Sequence, residues 1–310
     1  MIGRLDLNLT DAAMGVGMFA LMFAMGLTLG ADDFRRIAKS PRATAVGTSL
    51  QLIVMPIVGI GLSTVLELSP LLSTGLIVVS ACPGGLFSNM YVHIARGNTA
   101  LSITLTATAT LVTLFTLPLW VQFSLTSFSS EDATGVEMPI LDTALRLSTL
   151  TILPVFLGMI ARAKAPGLTR FERPITIPAA LLIAVAATSE ALKRPDIPVE
   201  TFLEAFYAAS YFAVAAIVVG ITVPALFRLP ARDTVTIAVE LIVKNTLLGI
   251  VLVGQVMEFE ALIPIFAFAV FQTPGGLALL AGWRYLEKRG YFGPRLELDD
   301  DGLPREPTLL

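Results

Sequence analysis

The chain has 310 residues, of which 55% are hydrophobic and 15% are charged, and its net charge is −3. A soluble domain uses about 25% charged residues, so this composition excludes an ordinary soluble protein. The small net charge gives no reason to expect a nucleic-acid partner, and the single cysteine, Cys82, excludes an internal disulfide.

Apolar runs recur along the whole chain and predict about nine transmembrane helices. Crossing the hydrocarbon core of a bilayer takes about 20 apolar residues, and several charge-free runs approach or exceed this length. In chain order the predicted spans are 12–30, 43–65, 70–95, 99–122, 141–161, 174–192, 202–227, 234–257 and 261–283. We therefore expect an all-α polytopic protein in the lipid bilayer.

Basic residues crowd the loops on one side of these spans, with the pair Lys193–Arg194 as the exception. Positive loops face the cytoplasm, which predicts a multi-pass protein of the cell membrane with its N-terminus outside and its C-terminus inside. The segment 290–310 is rich in acidic residues and proline, and we expect a disordered cytoplasmic tail there. The basic residues on the predicted inner side are Arg35, Arg36, Lys39, Arg42, Arg96, Arg162, Lys164, Arg170, Arg173, Arg228, Arg232, Arg284, Lys288 and Arg289.

The third predicted span is interrupted by Pro83, Gly84 and Gly85. Proline and glycine free backbone groups that lipid cannot satisfy, so such a break belongs where protein or a water-filled cavity surrounds it. Polar side chains follow at once and indicate a discontinuous helix that lines a cavity. They are Ser88, Asn89, Ser102 and Thr106.

The eighth predicted span has a second polar interruption, with Glu240, Lys244 and Asn245. Ionisable residues at this depth mark a pathway or a pair. One interpretation is a buried ion pair that holds two helices together. The other is a cation site built around Glu240, since the first half supplies hard oxygen ligands of the type that sodium prefers. Paired interruptions in two halves are typical of inverted-repeat transporters.

Several motifs together resemble the bile acid:sodium symporter family. They are MGLTL (25–29), Gln51 with Met55-Pro56, CPGG-x-x-SN (82–89), ARGN (95–98), ALS-x-x-x-T (100–106) and E-x-x-x-x-N (240–245). The resemblance implies two inverted repeats, two crossing broken helices and a nine-span member that lacks the family's first span. It also implies a core domain from spans 43–122 and 202–283, and a panel domain from spans 12–30, 141–161 and 174–192.

The resemblance further implies two sodium sites. The first would use Ser88, Asn89, Ser102, Thr106 and Glu240. The second would use Gln51, the Glu240 carboxylate and the backbone carbonyls of Leu241 and Val243. No other cofactor is expected. An organic anion, bile-acid-like or a small carboxylate, would be the substrate, and its expected contacts are Gly84, Gly85, Asn245, Gln272 and Thr273.

Lys244 departs from the family, which commonly has glutamine at this position. A protonated lysine has three donors and no acceptor, so it cannot coordinate sodium. We hypothesise that Lys244 replaces the second sodium as a tethered cation, leaving one sodium, or a proton carried by Lys244, as the coupling ion. Ile242 also stands where the family has glycine, which predicts a milder second break.

Two other functions stay open at this point. An arsenite or oxyanion exporter of the same superfamily would need Cys82 as an essential thiolate, although packing is the simpler role for this residue. A non-transporting membrane sensor on the same scaffold would explain Lys244. An enzyme is not expected, because Ser88 has no nearby base and the sequence has no paired-histidine metal motif; His93 fits a neutral residue at the membrane interface.

Overall fold

The computed structural model describes residues 9–29, 41–85, 87–128, 140–192 and 197–289, and these residues are helical apart from short connections. The predicted tail, 290–310, lies outside the described residues. The described part of the chain has no β-strand, so the all-α class is confirmed. The helices are α1 (Leu9–Thr28), α2 (Pro41–Val65), α3 (Pro70–Ala81), α4 (Ser88–Ile94), α5 (Thr99–Phe128), α6 (Ile140–Lys164), α7 (Glu172–Leu192), α8 (Val199–Leu226), α9 (Ala231–Ile242), α10 (Thr246–Val256) and α11 (Ile263–Lys288).

Three of the described helical segments are long and apolar enough to cross a membrane: α2, α8 and the segment Phe259–Lys288 that contains α11. Helix α5 makes a fourth when its two parts, which are bent by 57°, count as one span. Pro118 lies just beyond this bend and lacks the N–H that would bond to the Leu114 carbonyl. The structure thus agrees with a multi-pass membrane protein, and the count of nine spans stays a prediction.

Helix α1 packs against α6 and α7 through small residues. A Cβ built on Gly26 would lie 2.2 Å from the Val155 carbonyl oxygen, and one built on Gly158 would lie 2.2 Å from the Phe23 carbonyl oxygen. The α1 and α6 backbones therefore touch at this pair of glycines. Such small-residue contacts are how helices associate in lipid, where burial of apolar surface gives little advantage.

The other helices gather around two short interruptions. Helices α3 and α4 flank the first break, residues 82–87, and α9 and α10 flank the second break, residues 243–245. Helices α2 and α5 pack beside α3, whereas α8 and α11 pack beside α9. The two breaks therefore lie at the centre of a bundle made from two separate stretches of the chain.

The connections that lead into the two broken helices have the same local structure. Glu67 after α2 has φ 50°, and Arg228 after α8 has φ 53°. In each, the leucine that follows donates its N–H to a carbonyl five residues earlier, Leu68 to Ser63 at 3.1 Å and Leu229 to Pro224 at 3.0 Å. This is the hydrogen bond of a Schellman turn, made here by two non-glycine residues in the left-handed region. The two halves thus repeat a turn as well as a pattern of helices.

Helix α2 contains one π-helical turn, Leu50–Val54, just before Pro56. Proline cannot donate to the carbonyl four residues before it, and a wider turn accommodates this loss. The π turn packs against α3, α5 and α9. It places Gln51 among the helices that surround the breaks.

Candidate functional site

The two breaks are joined directly through their backbones. Gly84 and Lys244 form an isolated antiparallel bridge. The Gly85 N–H donates to the Val243 carbonyl at 2.7 Å, and the Asn245 N–H donates to the Pro83 carbonyl at 2.9 Å. Backbone groups that each helix releases at its interruption are therefore satisfied by the other interruption, which is what a membrane interior requires.

The Glu240 side chain is fully buried at the end of α9 and accepts two hydroxyl hydrogen bonds from α5. Ser102 Oγ donates to Oε1 at 2.5 Å, and Thr106 Oγ1 donates to Oε2 at 2.9 Å. Ser102 Oγ also lies 2.7 Å from Asn89 Oδ1, and the Ser88 hydroxyl interacts with the Gly85 carbonyl at 2.8 Å. The structure thus brings Ser102 and Thr106 directly to the Glu240 carboxyl group, and Asn89 joins them through Ser102. Ser88, the fifth residue predicted for the first sodium site, lies next to Asn89 at the start of α4.

Gly84 allows this carboxyl group to reach the first break. A Cβ built on Gly84 would lie 1.8 Å from Glu240 Oε2 and 3.3 Å from Thr106 Oγ1. Any other residue at this position would therefore displace the carboxylate. Gly85 is constrained similarly, because its Cβ would lie 2.8 Å from the Lys244 carbonyl oxygen.

The Lys244 side chain turns back toward the C-terminus of α3. Its Nζ donates to the carbonyls of Ser80 and Cys82, each at 2.8 Å, and the residue is 2% exposed. Carbonyls at a helix C-terminus carry partial negative charge, so the ammonium group compensates both these carbonyls and the helix dipole. Lys244 and Glu240 make hydrogen bonds to different partners, and the structure does not show the direct ion pair that one interpretation of the sequence proposed.

Two further side chains hold the second break in place. Gln272 Oε1 on α11 accepts a hydrogen bond from the Lys244 backbone N–H at 3.1 Å, and its Nε2 lies 3.3 Å from Thr246 Oγ1. The Asn245 Oδ1 accepts the Leu248 N–H at 3.2 Å and so caps α10. Both amides were predicted to contact substrate, and in this conformation both support the backbone of the break.

Gln51 was predicted for the second sodium site, and its environment is unusual. The side chain is fully buried, and neither its Nε2 nor its Oε1 has a hydrogen-bond partner among the described residues. A buried amide without partners costs about 1–3 kcal/mol, so it marks a place where an ion or a water fits. Of the two backbone carbonyls predicted for this site, that of Val243 already accepts the Gly85 N–H, and Leu241 is fully buried.

A cavity of about 250 Å³ lies against the crossing, between α4, α10 and α11. Its polar wall contains four of the residues predicted to contact substrate, Gly85, Asn245, Gln272 and Thr273. Apolar side chains line the rest, among them Phe87, Met90 and Tyr91. Polar groups on one wall and apolar groups on the other suit a small amphipathic molecule.

Two residues outside this site bear on the alternative functions. Cys82 is fully buried, and a Cβ built on Gly249 would lie 3.2 Å from its Sγ, so the thiol packs closely against α10. His93 is exposed near the end of α4. Within the described ranges, no three His, Cys, Asp or Glu side chains cluster as a metal site would require.

The sequence did not point to a polar contact between the start of α5 and the start of α9. Asn98 Nδ2 donates to Asp233 Oδ1 at 2.8 Å, and the Asn98 backbone N–H donates to Thr236 Oγ1 at 2.8 Å. A Cβ on Gly97 would lie 2.6 Å from the same Thr236 oxygen. The only local signal in the sequence was Asp233, an acidic residue in the first turn of a predicted helix. Its partner Asn98 lies 135 positions away in the chain, so the sequence pattern could not pair the two.

Comparison with known proteins gives a family match over more than half of the chain. The model of the Sodium Bile acid symporter family matches residues 15–194. The chain is 31% identical to the probable sodium/metabolite cotransporter BASS2 of rice chloroplasts over 87% of its length and 63% of that protein. It is 28% identical to the sodium-dependent transporter YocS of Bacillus subtilis, over 89% of the chain and 84% of that protein.

A third relative is the human ileal sodium/bile acid cotransporter, 26% identical over 84% of the chain and 74% of that protein. The chain covers 58% to 63% of the length of the chloroplastic relatives from rice and Arabidopsis thaliana. The similarity therefore extends over most of this chain and over a smaller share of those proteins.

Proposed function

The chain belongs to the sodium bile acid symporter family, and we propose that it is a secondary active symporter that moves an organic anion across a membrane together with sodium. The observation that carries the proposal is the Glu240 carboxyl group. It is fully buried where two broken helices meet, and hydroxyl groups of another helix surround it.

The coupling sodium binds between Glu240 and the oxygens of Ser88, Asn89, Ser102 and Thr106. All are hard oxygen ligands, and the carboxylate supplies the charge that offsets the loss of the ion's hydration shell. In the present arrangement Ser102 and Thr106 donate their hydroxyl protons to the carboxylate. When sodium binds, these hydroxyls rotate so that their lone pairs face the ion.

Lys244 takes the place of a second sodium ion. Its ammonium group already donates to the Ser80 and Cys82 carbonyls, so in its protonated form it places a positive charge beside α3. Gln51 packs among α3, α5 and α9, and its amide has no hydrogen-bond partner in the described residues. With Lys244 in place of the second sodium, Gln51 has no second ion to coordinate. One sodium therefore couples to each transported anion, and a proton on Lys244 would replace it if transport proved independent of sodium.

The substrate is an organic anion that binds in the cavity against the crossing. Helix α10 directs its N-terminus, with Asn245 and Thr246, into this cavity, and a helix N-terminus attracts negative charge. A volume of about 250 Å³ fits a small carboxylate better than a steroid-sized bile acid. Gly84, Gly85, Gln272 and Thr273 complete the proposed contacts.

The bundle around the crossing forms the core domain, and α1, α6 and α7 form the panel domain. Transport follows from movement of the core against the panel, with the two breaks held together as one unit. We assign the protein to a cell membrane, with the basic loops that contain Arg96 and Arg228 on the cytoplasmic side.

Uptake into proteoliposomes tests the proposal. Purified protein is reconstituted and assayed with radiolabelled pyruvate, pantoate and taurocholate, each with an inward gradient of sodium chloride or choline chloride. We expect sodium to stimulate uptake of one carboxylate at least tenfold. Sodium together with that carboxylate should also raise the melting temperature of the protein in detergent. Binding without uptake would instead indicate a sensor, and intact transport in Cys82→Ala would exclude an oxyanion exporter.

A further inference from the structure

Helix α4 supplies two of the proposed sodium ligands but is too short to hold its own shape. It has seven residues, Ser88–Ile94, with Ser88 and Asn89 in its first turn. Isolated helices shorter than about 12–15 residues are marginally stable, and Phe87, the residue before α4, makes no side-chain hydrogen bond that would cap it. Contacts with other parts of the molecule must therefore fix the position of both ligands.

Two arginines from the second half of the chain bond to the C-terminal end of α4. Arg284 Nη1 on α11 donates to the Ile94 carbonyl at 2.8 Å, and Arg232 Nε on α9 donates to the Arg96 carbonyl, just beyond α4, at 3.1 Å. The Asn98 N–H, which would bond to the Ile94 carbonyl if α4 continued, donates to a side chain of α9 instead. A guanidinium group at a helix C-terminus supplies the missing donor and offsets the negative end of the helix dipole.

Glu287 lies between the side chains of Arg284 and Arg96. Its Oε2 is 3.6 Å from Arg284 Nε, one turn earlier on α11, and its Oε1 is 3.9 Å from Arg96 Nη1. Partly exposed ion pairs of this kind contribute little on their own. A hydrogen bond from an ionised donor is about twice as strong as a neutral one, so the two arginine–carbonyl bonds are the stronger polar restraint on this end of α4.

The restrained end of α4 lies close to the sodium ligands. A rise of about 1.5 Å per residue places Asn89 about 7.5 Å from Ile94 along the helix axis. Asn89 Oδ1 is 2.7 Å from Ser102 Oγ, which donates to the Glu240 carboxylate. Because α4 has only about two turns, a tilt at Ile94 also moves Asn89 relative to this carboxylate.

We propose that Arg284 and Arg232 are positioning residues for the sodium site: they hold the C-terminal end of α4, and through it they fix Ser88 and Asn89 beside Glu240. This inference rests on the proposed sodium-coupled transport. Both arginines belong to the second half of the chain, so α9 and α11 set the place of ligands that the first half contributes.

Sodium titrations followed by thermal shift in detergent test the role of Arg284. In Arg284→Ala the half-saturating sodium concentration should rise about tenfold, the effect of losing one charged hydrogen bond. Arg284→Lys keeps a charged donor and should shift it less than about threefold. Arg42→Ala is the matched control, because Arg42 Nη2 donates to the Phe227 carbonyl at the C-terminus of α8 at 2.7 Å and α8 carries none of the proposed sodium ligands. It should bind sodium as wild type does.

A double-mutant cycle shows whether the effect passes through α4. Added to Asn89→Ala, Arg284→Ala should weaken sodium binding by less than about threefold, since a ligand that it positions is already gone. Added to Thr106→Val, whose residue lies on α5, it should again weaken binding about tenfold. Equal effects in both backgrounds, or as large a loss in Arg42→Ala, would overturn the inference. Arg232→Ala replaces Arg284→Ala if that variant is not monodisperse.

Hydrogen exchange without sodium separates this inference from the proposed function. The Ala95 and Gly97 N–H groups donate to the Tyr91 and Val92 carbonyls at 2.8 and 2.9 Å, and in Arg284→Ala they should exchange about tenfold faster than in wild type. Unchanged exchange contradicts the restraint on α4. Sodium-dependent uptake with an unchanged titration in Arg284→Ala contradicts this inference and leaves the symport proposal intact. A wild type that does not respond to sodium contradicts the symport proposal, and exchange then decides whether the arginines hold α4.

Discussion

The two breaks share backbone hydrogen bonds but contribute to the crossing in different ways. The first spans six residues, 82–87, and contains Pro83, Gly84 and Gly85. The second spans three, Val243, Lys244 and Asn245, and contains no glycine. In the first break small residues let other groups come close. The second break contributes side chains instead, with Lys244 bonded to the Ser80 and Cys82 carbonyls and Asn245 bonded to the N-terminus of α10.

The two halves of the crossing therefore differ in what they contribute to the site. The region of the first break accepts contacts from the second half of the chain. Glu240 lies against Gly84, and Lys244 donates to the Ser80 and Cys82 carbonyls. The other half supplies the carboxylate, which is Glu240 near the end of α9, and the ammonium group, which is Lys244 in the second break. Substitutions in the first break should therefore act through shape, and substitutions in the second break through charge and hydrogen bonding.

The largest effect is expected for Glu240→Gln, which keeps the shape of the side chain and removes the charge. Without the carboxylate nothing offsets the desolvation of sodium, so the sodium-dependent rise in melting temperature should vanish and uptake should fall at least 100-fold. Glu258→Gln, at an exposed residue between α10 and α11, is the control and should keep both responses. Sodium stabilisation that survives in Glu240→Gln would place the ion elsewhere.

Gly84→Ala tests the role of shape in the first break. The new methyl group would lie 1.8 Å from Glu240 Oε2, so the carboxylate must move. Overpacking of this kind costs about 1–3 kcal/mol of folding stability, and the displaced carboxylate should also bind sodium more weakly, by about tenfold. Sodium titrations followed by thermal shift measure this change. Gly61→Ala on α2, where no atom lies within 4 Å, should bind sodium normally.

Lys244→Gln tests the role of charge in the second break. Removing the tethered cation and adding an acceptor oxygen should create a second ion site, with Gln51 as a further ligand. The Hill coefficient for sodium-dependent uptake should rise from about one to about two. Lys244→Met, which removes the charge without an acceptor, should leave the coefficient near one. Equal sodium dependence in wild type and Lys244→Gln contradicts the idea of a tethered cation.

A smaller effect is expected at Gln272, which joins α11 to the second break. Gln272→Leu leaves the buried Lys244 N–H without its acceptor, and this costs about 1–3 kcal/mol of stability. Gln272→Glu keeps an acceptor oxygen and should lose less. Chemical denaturation in detergent compares the two variants. Equal stability in both would show that this hydrogen bond does not support the break.

The smallest change in stability is expected for Asn245→Asp. A carboxylate still caps α10 and suits a helix N-terminus, so the melting temperature should stay within about 2 °C of wild type. The added negative charge should nevertheless weaken uptake of the anion by about tenfold, since it borders the substrate cavity. Asn245→Ala removes the cap as well and should lower stability by about 1 kcal/mol.

The sequence predicted the elements whose signal is local. Pro83, Gly84 and Gly85 interrupt an apolar run, and polar residues at helical spacing follow, so a broken helix with a polar face could be derived. The position of Glu240 and Lys244 in a second apolar run indicated a partner for this break. The family resemblance then connected the two regions, and the structure brings the named hydroxyls to the Glu240 carboxyl group.

Other features depend on how distant helices pack and could not be predicted from local sequence patterns. Gln272 was predicted to contact substrate, but its hydrogen bond to the Lys244 N–H exists only because α11 passes beside the second break. Likewise, Pro56 indicates a disturbance of α2 near Gln51 but not that it takes the form of a π turn, and the left-handed residues Glu67 and Arg228 are ordinary in composition. Only the conformation shows that the two halves share the same turn.

The hydrogen bonds across the crossing have a consequence for biosynthesis. Lys244 bonds to Ser80, which lies 164 positions earlier in the chain. Translation at 5–20 residues per second delivers this partner roughly 8–33 s after the first break has been made. If the first broken helix entered lipid during that interval, the Pro83 carbonyl and the Gly85 N–H would have no water to bond to. We therefore expect this helix to wait in the translocon or beside an insertion chaperone, and slowing translation between residues 90 and 240 should prolong its association with that machinery.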